Sequence, residues 1–178
     1  MATHLNVEIK ARCDDPAAAL LRLAALGARS QGEDRQLDTY FRVPEGRLKL
    51  RRGNIENSLI HYARSDQPGL KDSHVTLYET REAGLLADVL HAALQVLVVI
   101  DKRRHILWMD NVKFHVDDVT GLGSFIEIEA IDRAGDLGRD KLLTQCQRYM
   151  HELRISESDL EARSYSDLLA ATGQLPEG

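Results

Sequence analysis

Residues 115–129 read His-Val-Asp-Asp-Val-Thr-Gly-Leu-Gly-Ser-Phe-Ile-Glu-Ile-Glu. Two glycines bracket Leu122 between runs rich in apolar and β-branched residues, so the stretch predicts a hairpin. Successive strand side chains alternate faces, which places Phe125, Glu127 and Glu129 on one surface and Ile126 and Ile128 on the other. Two glutamates on one face repel each other unless water or a cation lies between them. The face is therefore either solvated or a cation site. Three other stretches carry the opposite charge at the same spacing. Arg47, Lys49 and Arg51 alternate with Leu48 and Leu50, Lys102 and Arg104 share a parity with Ile106, and Arg64 shares one with Tyr62. Residues 5–12 mix the two signs, with Asn6, Glu8, Lys10 and Arg12 on one face and Leu5, Val7, Ile9 and Ala11 on the other. Lys113, His115 and Asp117 form a further shared face. Carboxylates are hard donors suited to Mg²⁺ or Mn²⁺, and lysines and arginines in number hold phosphates. Brought together on inward faces, Glu8, Asp117, Glu127 and Glu129 with Asn6, and Lys10, Lys49, Arg51, Arg64, Lys102 and Arg104, would make a metal-dependent site for a polyphosphate, most naturally a nucleoside or other triphosphate.

The elements that must position them follow from periodicity and turn chemistry. Asp15 can cap a helix that has Pro16 in its first turn, an apolar run over 17–26 and Gly27 as its stop. Residues 29–36 are polar and read as a loop or an irregular approach to a strand at 37–41, and Pro44-Glu45-Gly46 is a turn signal. Short strands follow at 47–51, 59–64 and 75–79, with a loop over 65–73. Helical spacing runs from 83 to about 97, with Leu86, Val89, Leu90, Ala93, Leu94 and Leu97 as its stripe. A strand over 98–109, the hairpin strands, a helix over about 136–153 and a short helical tail carrying Tyr165 complete the chain. Strands that alternate polar with apolar residues argue for an α+β fold with a mostly antiparallel sheet. Closing that sheet into a barrel, helices outside, would turn the polar faces into the lining of a lumen.

At 178 residues, 43% hydrophobic and 29% charged, the chain reads as one domain over 1–178. No apolar run approaches a membrane span and no secretory signal precedes the first strand, so a cytoplasmic location without membrane attachment is expected. Net charge −5 argues against nucleic acid as the partner of the whole surface. Cys13 and Cys146 have no CxxC spacing and read as reduced thiols. His61, His105 and His115 show no ligand spacing, which leaves a zinc site without support.

Val-Glu-Ile-Lys at 7–10 resembles the ExExK strand of the CYTH family, the triphosphate tunnel metalloenzymes that include class IV adenylyl cyclases and thiamine triphosphatases. Asp-Thr-Tyr-Phe at 38–41, Gly-Arg-Leu-Lys-Leu-Arg at 46–51, Lys-Arg-Arg at 102–104, the run at 117–129 and Ser-Tyr-Ser-Asp-Leu-Leu at 164–169 resemble that family's blocks in the same order. The resemblance implies a closed, eight-stranded antiparallel tunnel. In it Glu8, Glu127 and Glu129 would hold Mg²⁺ or Mn²⁺, with Asn6 beside them, and Lys10, Lys49, Arg51, Arg64, Lys102 and Arg104 would bind phosphates. Asp117 would bind metal or orient the nucleophile, with Lys102 and Arg104 acting in catalysis. Asn6 stands where the full motif has its first glutamate, which removes one negative charge and implies weaker metal binding or a changed metal count. The implied partner is a small triphosphate such as ATP, and a homodimer is compatible with the family. Two chemistries fit, cyclisation of ATP to cyclic AMP and pyrophosphate or hydrolysis of a triphosphate, and a non-catalytic binding module is a third reading. Thr120-Gly121-Leu122-Gly123 looks most like the cyclase-type branch.

Overall fold

The computed structural model describes residues 2–64 and 71–172, the side chains at 2–4, 63–64 and 71–74 lying outside that description. In chain order the elements are β1 (Ala2–Arg12), α1 (Pro16–Ala25), β2 (Arg29–Phe41), β3 (Arg47–Arg52), β4 (Ser58–Arg64), β5 (Lys71–Glu79), α2 (Ala83–Ala93), β6 (Val96–Met109), β7 (Val112–Val119), β8 (Gly123–Asp132), α3 (Arg139–Glu152) and α4 (Tyr165–Ala171), with a 3₁₀ turn at Glu157–Asp159. The class is α+β, and all the strand pairs are antiparallel, as the alternation implied. Neighbours run β1-β5-β4-β3-β2-β6-β7-β8, and β8 pairs back onto β1 from Leu5 opposite Asp132 to Arg12 opposite Phe125, so the sheet forms a closed barrel.

The polar faces of the strands point inward, and the apolar outward faces of β1, β7 and β8 lie under helices. Val7, Ile9 and Ala11 of β1, Phe114 and Val116 of β7 and Ile126 and Ile128 of β8 are buried beneath α1 and α3, together with Leu23, Leu142 and Cys146. Asp15 caps α1 by accepting from the Ala18 N–H at 2.9 Å. Helix α2 covers Phe41 and Leu50 of β2 and β3 through Ala87, with Leu86 and Leu90 alongside. Among the described residues no helix is long and apolar enough to cross a membrane.

Three expectations on element bounds change. Residues 29–36 belong to β2, which pairs with β6 over its whole length with register shifts between Ser30 and Gly32 and between Tyr40 and Phe41. Its inward side chains Asp34, Gln36 and Asp38 are buried, so the usual apolar signal of a buried face is missing. Helix α2 ends at Ala93, and Leu94 is already extended. The β-branched run from Val96 prefers the pleated sheet, and Leu97 becomes an outward strand residue. Val89 is exposed, and the buried stripe of α2 runs through Ala83 and Ala87. The loop expected over 65–73 gives way to β5 from Lys71, while 65–70 lie outside the described residues.

Candidate functional site

The barrel encloses a cavity of about 890 Å³, lined by side chains from all eight strands, the loop at 53–57 and α4. Alternation places each one. Asn6, Glu8 and Lys10 enter from β1, Lys49 and Arg51 from β3, Lys102 and Arg104 from β6, Lys113 and His115 from β7, and Glu127 and Glu129 from β8. Arg64 lies on β4, but its side chain is outside the described residues.

One wall is organised by Asp38. Its Oδ2 accepts from Lys102 Nζ at 2.6 Å, Lys49 Nζ at 3.1 Å and Arg51 Nη2 at 3.1 Å, while Oδ1 accepts from Arg51 Nε at 2.9 Å. Burial alone would raise this carboxyl, but Arg51, Lys102 and Lys49 hold it well below the usual carboxylate range. Burial, then repulsion by Arg104, Arg51 and Lys49, pushes Lys102 down to about 7 against the pull of Asp38. One carboxylate thus serves three cations, and the wall stays rich in positive charge. Glu56 adds a second anchor, accepting from Arg51 Nη1 at 2.9 Å and from Lys113 Nζ. It stands on a loop fixed by Asp34, whose carboxylate accepts from the Ile55 N–H at 2.8 Å and the Glu56 N–H at 2.9 Å. The loop passes so close that a Cβ at Gly53 would lie 2.5 Å from Asp34 Oδ1, which only glycine avoids.

Arg104 joins this wall to the acidic one. Its Nε donates to Asp117 Oδ1 at 2.7 Å and its Nη2 to Glu127 Oε2 at 2.7 Å. The Tyr165 hydroxyl donates to Asp117 Oδ2 at 2.7 Å, so both Asp117 oxygens are engaged. Asp117 is buried behind Arg104, away from the cavity lining. Helix α4 closes this end of the barrel, where Tyr165 and Leu168 pack on Tyr40, Val98, Ile100 and Phe125. Lys10 donates to the Arg163 carbonyl and lies 4.6 Å from the centroid of the Tyr165 ring.

On the acidic wall Glu8 stands opposite Glu129, and Lys10 opposite Glu127. Burial pushes Glu129 up to about 7; Glu8, Glu127 and Glu56 add to this and Lys113 opposes it. Asn6 Nδ2 donates to Glu129 Oε1, which leaves the buried Asn6 Oδ1 without a hydrogen-bond partner. Glu127 differs, because Arg104 and His115 overcome the effect of burial and hold it well below the usual range. Burial and Arg104 push His115 down to about 3, so its ring is neutral near pH 7. The neutral ring donates from Nδ1 to Glu127 Oε2 at 3.1 Å, and its buried Nε2 has no partner. Among the described residues no three of His, Cys, Asp and Glu converge as a ready metal cage.

Asp38, Glu56, Lys113 and Tyr165 are structural participants that sequence reading left without a role. Asp38 had a signal, since it shares a parity with Asp34 and Gln36 on one polar strand face. Glu56 had none, because its place depends on a loop folded against Asp34.

No curated protein matches the chain. Among solved structures, a Pyrococcus horikoshii protein superposes with a TM-score of 0.77 at 22% identity, covering 92% of this chain and 98% of its own. A Vibrio parahaemolyticus protein provisionally assigned as an adenylate cyclase gives a TM-score of 0.76 at 19% identity over 96% of this chain and 99% of its own. A Hippeastrum protein, provisionally assigned as an adenylyl cyclase and described as having a dominant triphosphatase activity, gives 0.59 at 16% identity over 96% and 97%. At these identities the likeness is one of fold. The CYTH domain model matches residues 4–165, nearly the whole barrel up to the first residue of its closing helix, and on that match the chain belongs to the CYTH family.

Proposed function

We propose that the protein is a metal-dependent phosphoryl-transfer enzyme acting on a small triphosphate, with residues 1–178 as one catalytic domain. The observation that carries this reading is the shared Asp38 carboxylate, on which Lys49, Arg51 and Lys102 converge inside the barrel. A triphosphate supplies several anionic oxygens where the protein supplies one carboxylate, so these cations are preset for a polyanion. Lys10 and Arg104 extend the same surface, and we include Arg64 as a further phosphate ligand.

The opposite wall fits a hard divalent cation. Glu8 and Glu129 are like charges directly opposed, burial raises Glu129, and the Asn6 amide oxygen is buried and unsatisfied. Glu8, Glu129 and Asn6 would hold Mg²⁺ or Mn²⁺, with Glu127 completing the set on its side not bound to Arg104. Bound there, the ion would offset charge on phosphoryl oxygens. Asp117 is assigned a positioning part. It fixes Arg104 with Tyr165 behind it, so that the guanidinium meets the phosphates in one orientation.

Cyclisation of ATP, with the ribose 3′ hydroxyl attacking the α-phosphorus and pyrophosphate leaving, is the form supported by the Thr120–Gly123 block and the Vibrio protein's provisional assignment. Attack of water on the terminal phosphorus is the second reading, supported by the activity described for the Hippeastrum protein. Incubation with ATP, inorganic triphosphate or thiamine triphosphate, each with Mg²⁺ or Mn²⁺, separates them. Cyclic AMP with pyrophosphate identifies the cyclase and orthophosphate the hydrolase. Binding without product would make the protein a sensor, and no binding to any of the three would overturn the reading. Lys49→Ala and Glu127→Ala should each weaken triphosphate binding or turnover by at least about tenfold with the near-UV circular dichroism unchanged.

A further inference from the structure

His115 lines the main cavity without a part in either the phosphate array or the metal set. Its place follows from strand register. It stands on β7 between Glu127 of β8 and Ile106 of β6, and Glu127 in turn stands opposite Lys10 of β1. Ile106 is fully buried and His115 is 3% exposed, so the imidazole is held by packing as well as by its hydrogen bond.

That hydrogen bond falls on an oxygen already in use. His115 Nδ1 lies 3.1 Å from Glu127 Oε2, and because an ionised carboxylate can only accept, Nδ1 carries the proton. The same Oε2 accepts from Arg104 Nη2 at 2.7 Å, and Arg104 is itself fixed by Asp117 at 2.7 Å. One donor fixes an oxygen but leaves the carboxylate plane free to turn. A second donor, arriving from the neighbouring strand, removes that freedom. Oε2 is thereby drawn into the wall, while 24% of the Glu127 side chain stays accessible on the side of Oε1. The other ring nitrogen argues that this bracing serves a ligand. His115 Nε2 is buried without a partner, whereas a histidine kept only to support the fold has both nitrogens satisfied. One nitrogen orients a carboxylate, and the other is left for a donor that arrives with the ligand.

We infer that His115 is a positioning residue of the metal site: together with Arg104 it holds Glu127 Oε2, keeps Oε1 aimed at the divalent ion, and so raises the affinity for Mg²⁺ or Mn²⁺ without binding the ion itself. The inference rests on the metal reading of the acidic wall. Outer partners of this kind are worth about 10–100-fold in metal affinity. Arg104 also faces the phosphates, so His115 is the residue that reports on the metal side alone.

The test uses the full chain and measures Mn²⁺ binding by electron paramagnetic resonance, alongside calorimetric binding of inorganic triphosphate in EDTA. His115→Ala should weaken Mn²⁺ binding by about tenfold or more, with metal-free triphosphate binding changed less than about twofold. His115→Phe keeps a ring packed on Ile106 but has no donor, and should match the alanine variant. His115→Asn places an amide N–H as many bonds from the backbone as Nδ1, and should recover Mn²⁺ affinity to within about threefold of wild type. If alanine and phenylalanine variants bind Mn²⁺ as wild type does, if asparagine is no better than they are, or if metal-free triphosphate binding falls as far as Mn²⁺ binding, the inference is overturned and the metal reading stands. If the wild type binds no Mn²⁺ even with inorganic triphosphate present, both fall.

Discussion

The two walls of the barrel solve the same electrostatic problem in opposite ways. Around Asp38, buried cations outnumber the carboxylate that holds them, but each is hydrogen-bonded, and the geometry is set by Asp38 and Glu56. Across the cavity Glu8 faces Glu129, the Asn6 amide donates to Glu129, and an amide oxygen and a ring nitrogen remain buried without partners. The basic wall has its own unpartnered atom in Gln36 Oε1, but its charges are paired; paired charges set positions before a ligand arrives, and facing like charges gain most from what binds to them. The basic wall is therefore organised in advance, while the acidic wall is completed by its cation.

The largest effect should follow from removing the anchor of the organised wall. Asp38→Asn leaves the buried Lys102 and the half-buried Lys49 without the Asp38 charge and Arg51 with Glu56 alone, and should cost about 5 kcal/mol of unfolding free energy in urea titrations, part of it restored by inorganic triphosphate. A loss below about 1 kcal/mol would mean that the cations do not depend on Asp38. Lys102 tests the same wall by pH. The unfolded chain keeps this proton up to the ordinary value near 10.5, and the folded chain only to about 7. Between those values the unfolded state binds more protons, so this residue's contribution to stability rises with pH across that window, and its cost is fully present below about 7. The wild type should gain about 4 kcal/mol relative to Lys102→Met between pH 6 and pH 10, and parallel curves for the two proteins would refute the burial of a charged lysine.

On the frustrated wall, Mn²⁺ or Mg²⁺ at about a hundred times its Kd should raise the unfolding free energy by about 2.7 kcal/mol, and Glu129→Gln should remove most of that gain. An unchanged midpoint with metal would erase the contrast between the walls. At the junction, Tyr165→Phe removes one hydrogen bond to a buried carboxylate and should cost about 1–2 kcal/mol in the same assay. Arg103 gives the smallest effect. It pairs with Asp118 on the outer surface between two buried cations of the same strand, and Arg103→Ala should leave the unfolding midpoint unchanged.

The contrast between Lys102, Arg103 and Arg104 also shows how far the sequence could be read. Parity alone put Lys102 and Arg104 on one side and Arg103 on the other, and the same rule aligned Glu127 with Glu129 and Glu8 with Lys10. Where the inward face is polar and the outward face lies under a helix, alternation reports sidedness but reverses the meaning of burial. Residues 29–36 read as a loop for a related reason: Asp34 and Gln36 are polar yet fully buried on the inward face of β2, while Glu33 and Arg35 on its outward face are exposed, so neither face carries an apolar signal. The shared parity of Lys113, His115 and Asp117 placed all three inward, yet only Lys113 and His115 reach the cavity; Asp117 is covered by Arg104 and Tyr165.

By itself the sequence determined the α+β class, the antiparallel sheet and the side on which the charged residues lie in the strands it identified. These depend on local periodicity, which the backbone imposes over a few residues. Only the tertiary structure decided that Asp38 serves Lys49, Arg51 and Lys102, that Glu56 reaches Lys113 from a loop, and that Tyr165 closes one end of the barrel. Lys102 reaches Asp38 from 64 residues away and Glu56 reaches Lys113 across 57, and even the Asp38 contacts with Lys49 and Arg51 on the next strand depend on how the strands register around the barrel, which no local pattern encodes.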